Sequence, residues 1–244
     1  VQNGDNVLIG GFIITGSANK TVMVRAIGPS LPANIPGRLA DPTLELHGSN
    51  NLLITNDNWK DSQQTVIQNS GLAPGDDLES AILTTLPPGA YTAIVKDKNG
   101  TTGVGLVEIY DLDAASDSKL ANISSRGFVQ TGDDVMIAGF IFGHGTASEK
   151  VIIRAMGPSL IGIANILVDP TLELRDGDGT LLMSNDNWKD DANQKAQIIA
   201  SGLAPTNDLE SAIVTTLPPG QYTEIIAGKN GGTGVGLAEV YHLP

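Results

Sequence analysis

The six-residue stretch Asn-Asp-Asn-Trp-Lys-Asp occurs twice in this 244-residue chain, at 56–61 and at 185–190. Asn56, Asp57, Asn58 and Asp61, and their counterparts Asn185, Asp186, Asn187 and Asp190, crowd hard oxygen donors into one short piece of chain. Such oxygens suit Ca2+, which takes carboxylate, amide and backbone carbonyl ligands. The Gly and the distal Glu of an EF-hand loop are missing. The same residue types also close turns and start helices by bonding backbone N–H groups, and the sequence leaves both roles open. Asp176 and Asp178, in "RDGDG", add carboxylates in the second copy only; the first copy has "HGSNN" there, so a cation is expected to bind it more weakly. Ca2+ is the one cofactor these residues bring into question. Trp59 and Trp188, the only tryptophans, sit inside the motif. Buried, each would anchor its loop through the indole N–H; exposed, each would offer a face for stacking on a carbohydrate. Anchoring is the expectation.

Other chemistry is thinly represented. None of the three histidines, His47, His144 and His242, recurs at the matching place in the other copy. Ser30 and Ser159 recur within "GPSL", but that is a turn after a strand and not the strand–elbow–helix Gly-x-Ser-x-Gly pattern of a nucleophile. Gly103 and Gly105, like Gly234 and Gly236, lie within a Val-rich strand, which is no phosphate cradle; small residues there permit close sheet packing. No catalytic set is assembled, and the expectation is a protein that is not an enzyme. Arg25 with Glu79, and Arg154 with Glu210, are expected to form structural ion pairs.

The elements that must hold these residues are mostly strands. "NVLIGGFIIT", "TVMVRAI" and "TLELHG" are Val/Ile-rich or alternate apolar with polar residues between turn formers. "SAILTTL", "PPG" and "AYTAIVK" read as a hairpin, extended by "GVGLVEIY" into a three-stranded meander. One short helix per copy is expected, over 61–72 and 190–203, with Asp at the start, Gly at the end, and a place across an end of the sandwich. The copies repeat at about 130 residues, the size of a domain. The expected fold is therefore all-β: two tandem homologous β-sandwich domains, jelly-roll or immunoglobulin-like, at 1–113 and 120–244, joined by a polar linker at 114–119.

Fourteen Lys and Arg against 27 Asp and Glu leave a net charge of −13, which argues against nucleic acid as a partner. No apolar run is long enough for a membrane-spanning helix, so no membrane insertion is expected. There is no cysteine to form a disulfide or ligate a metal. An opening Val, abundant Gly, Thr, Asn and Asp and scarce Lys lead to the expectation of an extracellular or cell-surface protein, secreted and freed of its signal peptide.

The run "DPTLELRDGDGTLLMSNDNW" followed by "LPPGQYTEII" resembles the bacterial pre-peptidase C-terminal type of β-sandwich. In that family a strand, an Asp/Gly hairpin, an Asn-Asp turn and a Gly-x-Tyr strand come in this order. The resemblance covers the second half of each copy well and the first half loosely. It implies an extracellular accessory or adhesive role, in some members with calcium, and no catalytic centre.

One asymmetry bears on function. The second copy is preceded by "LANISSRGFV" (120–129), whose apolar Leu120, Ile123, Phe128 and Val129 fit a strand, and the first copy shows no such lead-in. A sandwich short of one strand exposes backbone groups that must be covered, and a linker, upstream chain or a neighbouring subunit's strand would each explain the difference. The leading expectation is a self-assembling structural subunit of a surface layer or filament, a homo-oligomer or polymer joined by strand addition. The alternative is an accessory module that binds Ca2+ or carbohydrate.

Overall fold

A computed structural model describes residues 1–142 and 146–243; His144 lies outside the described residues. The chain is mostly β-strand and divides into two compact units, Val1–Ala121 and Asn122–Pro244.

The first unit holds β1 (Leu8–Thr15), β2 (Lys20–Ile27), β3 (Pro42–His47), β4 (Leu53–Asn56), α1 (Gln64–Asn69), β5 (Ser80–Leu86), β6 (Gly89–Asp97) and β7 (Leu106–Asp111). Next comes β8 (Lys119–Val129), whose first three residues belong to this unit. The second unit continues with β9 (Met136–Phe142), β10 (Glu149–Met156), β11 (Pro170–Asp176), β12 (Leu181–Asn185), α2 (Ala192–Ala200), β13 (Ser211–Leu217), β14 (Gly220–Gly228) and β15 (Gly234–His242).

Within the first unit the antiparallel orders are β1-β6-β3-β4 and β5-β2-β7; within the second they are β9-β14-β11-β12 and β13-β10-β15-β8. Each unit's core is filled from both of its sheets. In the first, Leu44, Leu46, Tyr91, Ala93 and Val95 meet Val22, Val24, Ala26 and Ile82. In the second, Phe140, Leu172, Leu174, Tyr222 and Ile226 meet Val151, Ile153, Ile213 and Val240. Strand β3 shows the cause plainly: its buried and half-buried residues alternate along the whole length, as a pleated strand with one inward face requires.

Strands β2 and β10 break that alternation, because Val22, Met23 and Val24 are all buried, as are Val151, Ile152 and Ile153. The outer face is covered too. Met23 packs with Trp59, Ile67 of α1 and Ala81; Ile152 packs with Trp188, Ile198 of α2 and Ala212. The helices thus lie on the outer face of a sheet, not across an end of the sandwich, because their one apolar side seats on Met23 or Ile152. They are also shorter than the sequence signals suggested. Asp61 and Asp190 do not cap them; α1 starts after Gln63 without a side-chain cap, and Asp191 caps α2 by accepting from the Asn193 and Gln194 N–H groups. Gly71 and Gly202 end the helices with positive φ (74° and 73°), as the sequence indicated.

The expected hairpin across "PPG" does not form. β5 pairs with β2, whereas β6 pairs with β1 and β3 in the other sheet. Pro87 and Pro88 have no N–H to give to a hairpin ladder, so the chain crosses between sheets there. Tyr91 pins the crossing by donating its hydroxyl to Pro87 O at 2.6 Å, and Tyr222 repeats this at Pro218 O at 2.8 Å. The meander fails for the same reason: β7 pairs with β2 and not with β6.

Candidate functional site

The Asn-Asp-Asn-Trp loop leaves β4 and is stitched to the start of β5. Asn56 accepts from Ala81 N–H at 2.9 Å and donates to Asn58 O at 3.0 Å. The Trp59 indole N–H donates to Asp76 O at 3.0 Å, and its ring, 4 % exposed, is capped by Lys60. Asn185, Trp188 and Lys189 repeat the arrangement, with the Trp188 indole donating to Asn207 O at 3.0 Å. Both tryptophans are anchors, and rings this buried present no face to a sugar. Asn56 and Asn185 are occupied as turn-formers, and Asp61 and Asp190 accept from the Asn58 and Asn187 amides at 3.3 and 3.2 Å.

Asp57 and Asn58 differ from these. The Asp57 Oδ1 and Asn58 Oδ1 oxygens are buried without a hydrogen-bond partner, and so is Asp41 Oδ1. The Ser80 hydroxyl brings the strands carrying them together, lying 2.5 Å from Pro42 O and 2.6 Å from Asp57 O. In the second unit Asp169, Asp186 and Asn187 leave the same three oxygens unpartnered. A lysine from the end of the neighbouring strand leans on each group: Lys98 Nζ is 2.5 Å from Asp57 Oδ2, and Lys229 Nζ is 2.6 Å from Asp186 Oδ2. Burial holds the Asp41 carboxyl above its ordinary pKa; Lys98 pulls it down, while Asp57 and Asp97 push it further up. The hydrogen bond to Asp57 raises the Lys98 pKa, and the one to Asp186 raises that of Lys229.

Asp41 and Asp169 were missed in the sequence, though both head the repeated "DPTLEL" and the lysines recur in "KNG". Asp176 and Asp178 do not join this group. They sit at the turn end of the β11–β12 hairpin, about 20 Å along β11 from Asp169. Asp176 Oδ1 closes that turn by accepting from the Asp178 and Thr180 N–H groups at 3.0 and 2.8 Å.

The expected Arg25–Glu79 and Arg154–Glu210 pairs are not formed. Arg25 binds Glu108 at 2.5 Å and Arg154 binds Glu239, each also facing a tyrosine ring, Tyr110 or Tyr241. These partners lie directly across the strand pairs β2–β7 and β10–β15. Glu79 is fully buried and serves the "GPS" turn instead, accepting from Gly28 N–H (3.0 Å), Ser30 N–H (2.9 Å), the Ser30 hydroxyl and Asp76 N–H (3.1 Å). Glu210 repeats the pattern with Gly157 and Ser159. A Cβ on Gly28 would stand 2.3 Å from Leu39 O, so the turn requires glycine. Ser30 and Ser159 therefore hydrogen-bond buried carboxylates. His47 and His242 contact Glu45 and Glu149.

The lead-in proves to be strand β8. Its Asn122–Val129 portion pairs antiparallel with β15, from Asn122 opposite Tyr241 to Val129 opposite Gly234. Val129 enters the second core, Leu120 packs against the first, and Ile123 and Phe128 are half-buried outside both. The homologous strand β7 has β2 on one side and, among the described residues, no strand on the other. The consequence is visible along its length. Ala238, Glu239 and Val240 of β15 are buried, whereas Val107, Glu108 and Ile109 of β7 are half-buried and Leu106 is exposed.

No family model matches the chain, and no curated protein matches it. Among solved structures, one of PNGF-II aligns over 100 % of this chain and 62 % of its own length, at 10 % identity and a TM-score of 0.26. The infectious bursal disease virus VP2 subviral particle aligns over 99 % of this chain and 70 % of its own, at 11 % identity and a TM-score of 0.21. The chain thus spans about six-tenths of the PNGF-II structure, and likenesses at these scores carry no functional argument. The class defined here is an all-β protein of paired antiparallel sheets.

Proposed function

We propose that this protein is a non-enzymatic extracellular structural component, two tandem β-sandwich domains that assemble by accepting a strand from a neighbouring subunit at an open sheet edge. The observation that carries the reading is the difference between two homologous strands: β15 is covered by β8, whereas among the described residues no strand covers the outer side of β7. An unpaired row of backbone N–H and C=O groups beside half-buried Val107 and Ile109 is a template for another strand. Such a contact is heterologous and extends into rings or filaments. Electron microscopy with sedimentation velocity on the chain purified without denaturant tests this. Assemblies that grow with concentration are expected; a monomer at every concentration would end the reading.

A second reading is supported by the unpartnered oxygens of Asp41, Asp57 and Asn58 and of Asp169, Asp186 and Asn187: each unit holds a divalent cation, Ca2+ by its oxygen chemistry. Lys98 and Lys229 compete for the same carboxylates. Ca2+ at about 100 times its Kd would add about 2.7 kcal/mol to stability, some 5–10 °C in thermal midpoint. Asp41→Ala together with Asp169→Ala should remove that gain. A midpoint indifferent to both added Ca2+ and EDTA would refute it.

A further inference from the structure

The hairpin β3–β4 and its counterpart β11–β12 close differently, and a cavity lies at the second of them. Their turns share one hydrogen-bond frame: Gly48 N–H donates to Leu52 O and Asp176 N–H to Thr180 O, both at 3.1 Å. Gly48 therefore corresponds to Asp176, and Leu52 to Thr180. In the first unit Leu52 packs against the core, and a Cβ added to Gly48 would stand 2.8 Å from the Tyr91 ring and 3.1 Å from Leu52 Cδ2. In the second unit an exposed threonine, Thr180, stands where that leucine was. The returning strand also carries one more residue. Arg175 lies opposite Leu181 as His47 lies opposite Leu53, but Leu174 lies opposite Met183 as Leu46 lies opposite Ile54, so Leu182 is a bulge. A bulge re-aims its side chain. Leu182 lines a cavity of about 420 Å³ together with Leu174, Met183, Leu217 and Tyr222.

Asp176 is the one charged residue among the described residues that line this cavity. Its Oδ1 is held by the Asp178 and Thr180 N–H groups, and its Oδ2 accepts no hydrogen bond among the described residues. The carboxylate acts on the Tyr222 hydroxyl, whose pKa is raised by burial first and by the Asp176 charge second. We infer that the cavity is a binding site for a small organic amine, with a branched aliphatic tail in the place that Leu52 fills in the first unit and an ammonium on Asp176 Oδ2. Apolar walls around one placed polar group, in a volume of about 300–1,000 Å³, are the make-up of small-ligand sites. The charge selects the sign of the ligand: a carboxylate on the same tail would meet Asp176 as a like charge and be rejected. The net charge of −13 raises the local concentration of cations as well. The first unit has leucine in the tail's place and glycine in the carboxylate's, so it is built to refuse the same ligand. Neither strand addition nor a cation beside Asp169 and Asp186 is required for this site.

The probe is isopentylamine, titrated at neutral pH into the isotope-labelled full chain and followed by two-dimensional NMR. Amide shifts should saturate with a Kd of about 1 mM and be confined to residues 176–183 and 215–222. Isopentanol, with the same tail and no charge, should bind about tenfold more weakly, and isovalerate, with the same tail and a carboxylate, should shift nothing. Asp176→Asn keeps an oxygen to accept from the turn; it should weaken the amine about tenfold and leave isopentanol unchanged. Thr180→Leu restores the leucine of the first unit and should abolish binding of both. The inference is overturned if the amine gives no saturable shifts, if residues around Tyr91 respond equally, if isovalerate binds as well as the amine, or if either variant binds the amine at full strength. Should Thr180→Leu not fold, Asp176→Asn still decides, because it separates the amine from the alcohol on a chain that binds both.

Discussion

Glu79→Ala is expected to destabilise the first unit by about 3–5 kcal/mol. The carboxylate is fully buried and serves three backbone N–H groups, those of Gly28, Ser30 and Asp76, together with the Ser30 hydroxyl. Truncation unpairs all of them; Gly28 is buried, where a lost partner costs about 1–3 kcal/mol, while Asp76 is half-buried and Ser30 exposed. The carboxylate also holds Asp76, whose carbonyl accepts the Trp59 indole N–H at 3.0 Å, so the loop bearing Asp57 and Asn58 loosens with it. Thermal unfolding followed by Trp59 fluorescence, in a Trp188→Phe background, should show a fall of about 10–20 °C. Glu79→Gln should recover only part of the loss, because its amide presents hydrogens where oxygens are needed. A fall below about 3 °C for the alanine variant would show that the turn holds without its carboxylate.

Glu224→Gln is expected to stabilise the second unit at neutral pH and to remove part of its pH dependence. Glu224 is 1 % exposed and its Oε2 has no hydrogen-bond partner. Burial, with the charge of Glu239 adding to it, drives its pKa well above the ordinary 4.5. Below that ordinary value the group is protonated both folded and unfolded, and its stabilising contribution is complete. As pH rises above 4.5 the unfolded chain gives up the proton first, and stability declines until pH passes the folded-state pKa. The glutamine variant lacks this decline, and its advantage at pH 7 should be about 1–3 kcal/mol, the proton-linkage penalty that the ionisable group carries. The first unit supplies an internal control, since Ala93 stands where the second has Glu224. Denaturant unfolding between pH 4 and 8, read through Trp188, checks the slope. An unchanged slope in the glutamine variant would contradict the assignment.

Much of the fold is written in local pattern. The alternation of "TLEL", the Asp-Gly turn at 176–179 and the glycines closing both helices are short-range signals, and the structure follows them. The partner of each strand is a different matter. Nothing in "SAILTTLPPGAYTAIVK" distinguishes a hairpin from a crossing between sheets, because the outcome depends on β1 and β3 competing for β6. The ion pairs went astray for a related reason: Arg25 lies opposite Glu108 by strand register, and the sequence alone does not reveal that register. The site was half legible. The repeated Asn-Asp-Asn-Trp stood out, but Asp41 and Asp169 sit some 16 residues earlier and join only because β3 pairs with β4, and β11 with β12.

The crossing at Pro87–Pro88 also governs how the chain acquires its structure. Because β5 and β6 part company there, β6 must find β1 and β3, made far earlier, before its ladder exists. Pairings of this range close slowly. They close in a chain that contains "DPTLEL" twice, at 41–46 and 169–174, each copy an acceptable edge for either β6 or β14. Correct and interchanged pairings thus compete kinetically during refolding, and at high concentration the interchange extends between molecules. Yield on refolding should therefore drop with concentration more steeply for the two-copy chain than for one copy alone.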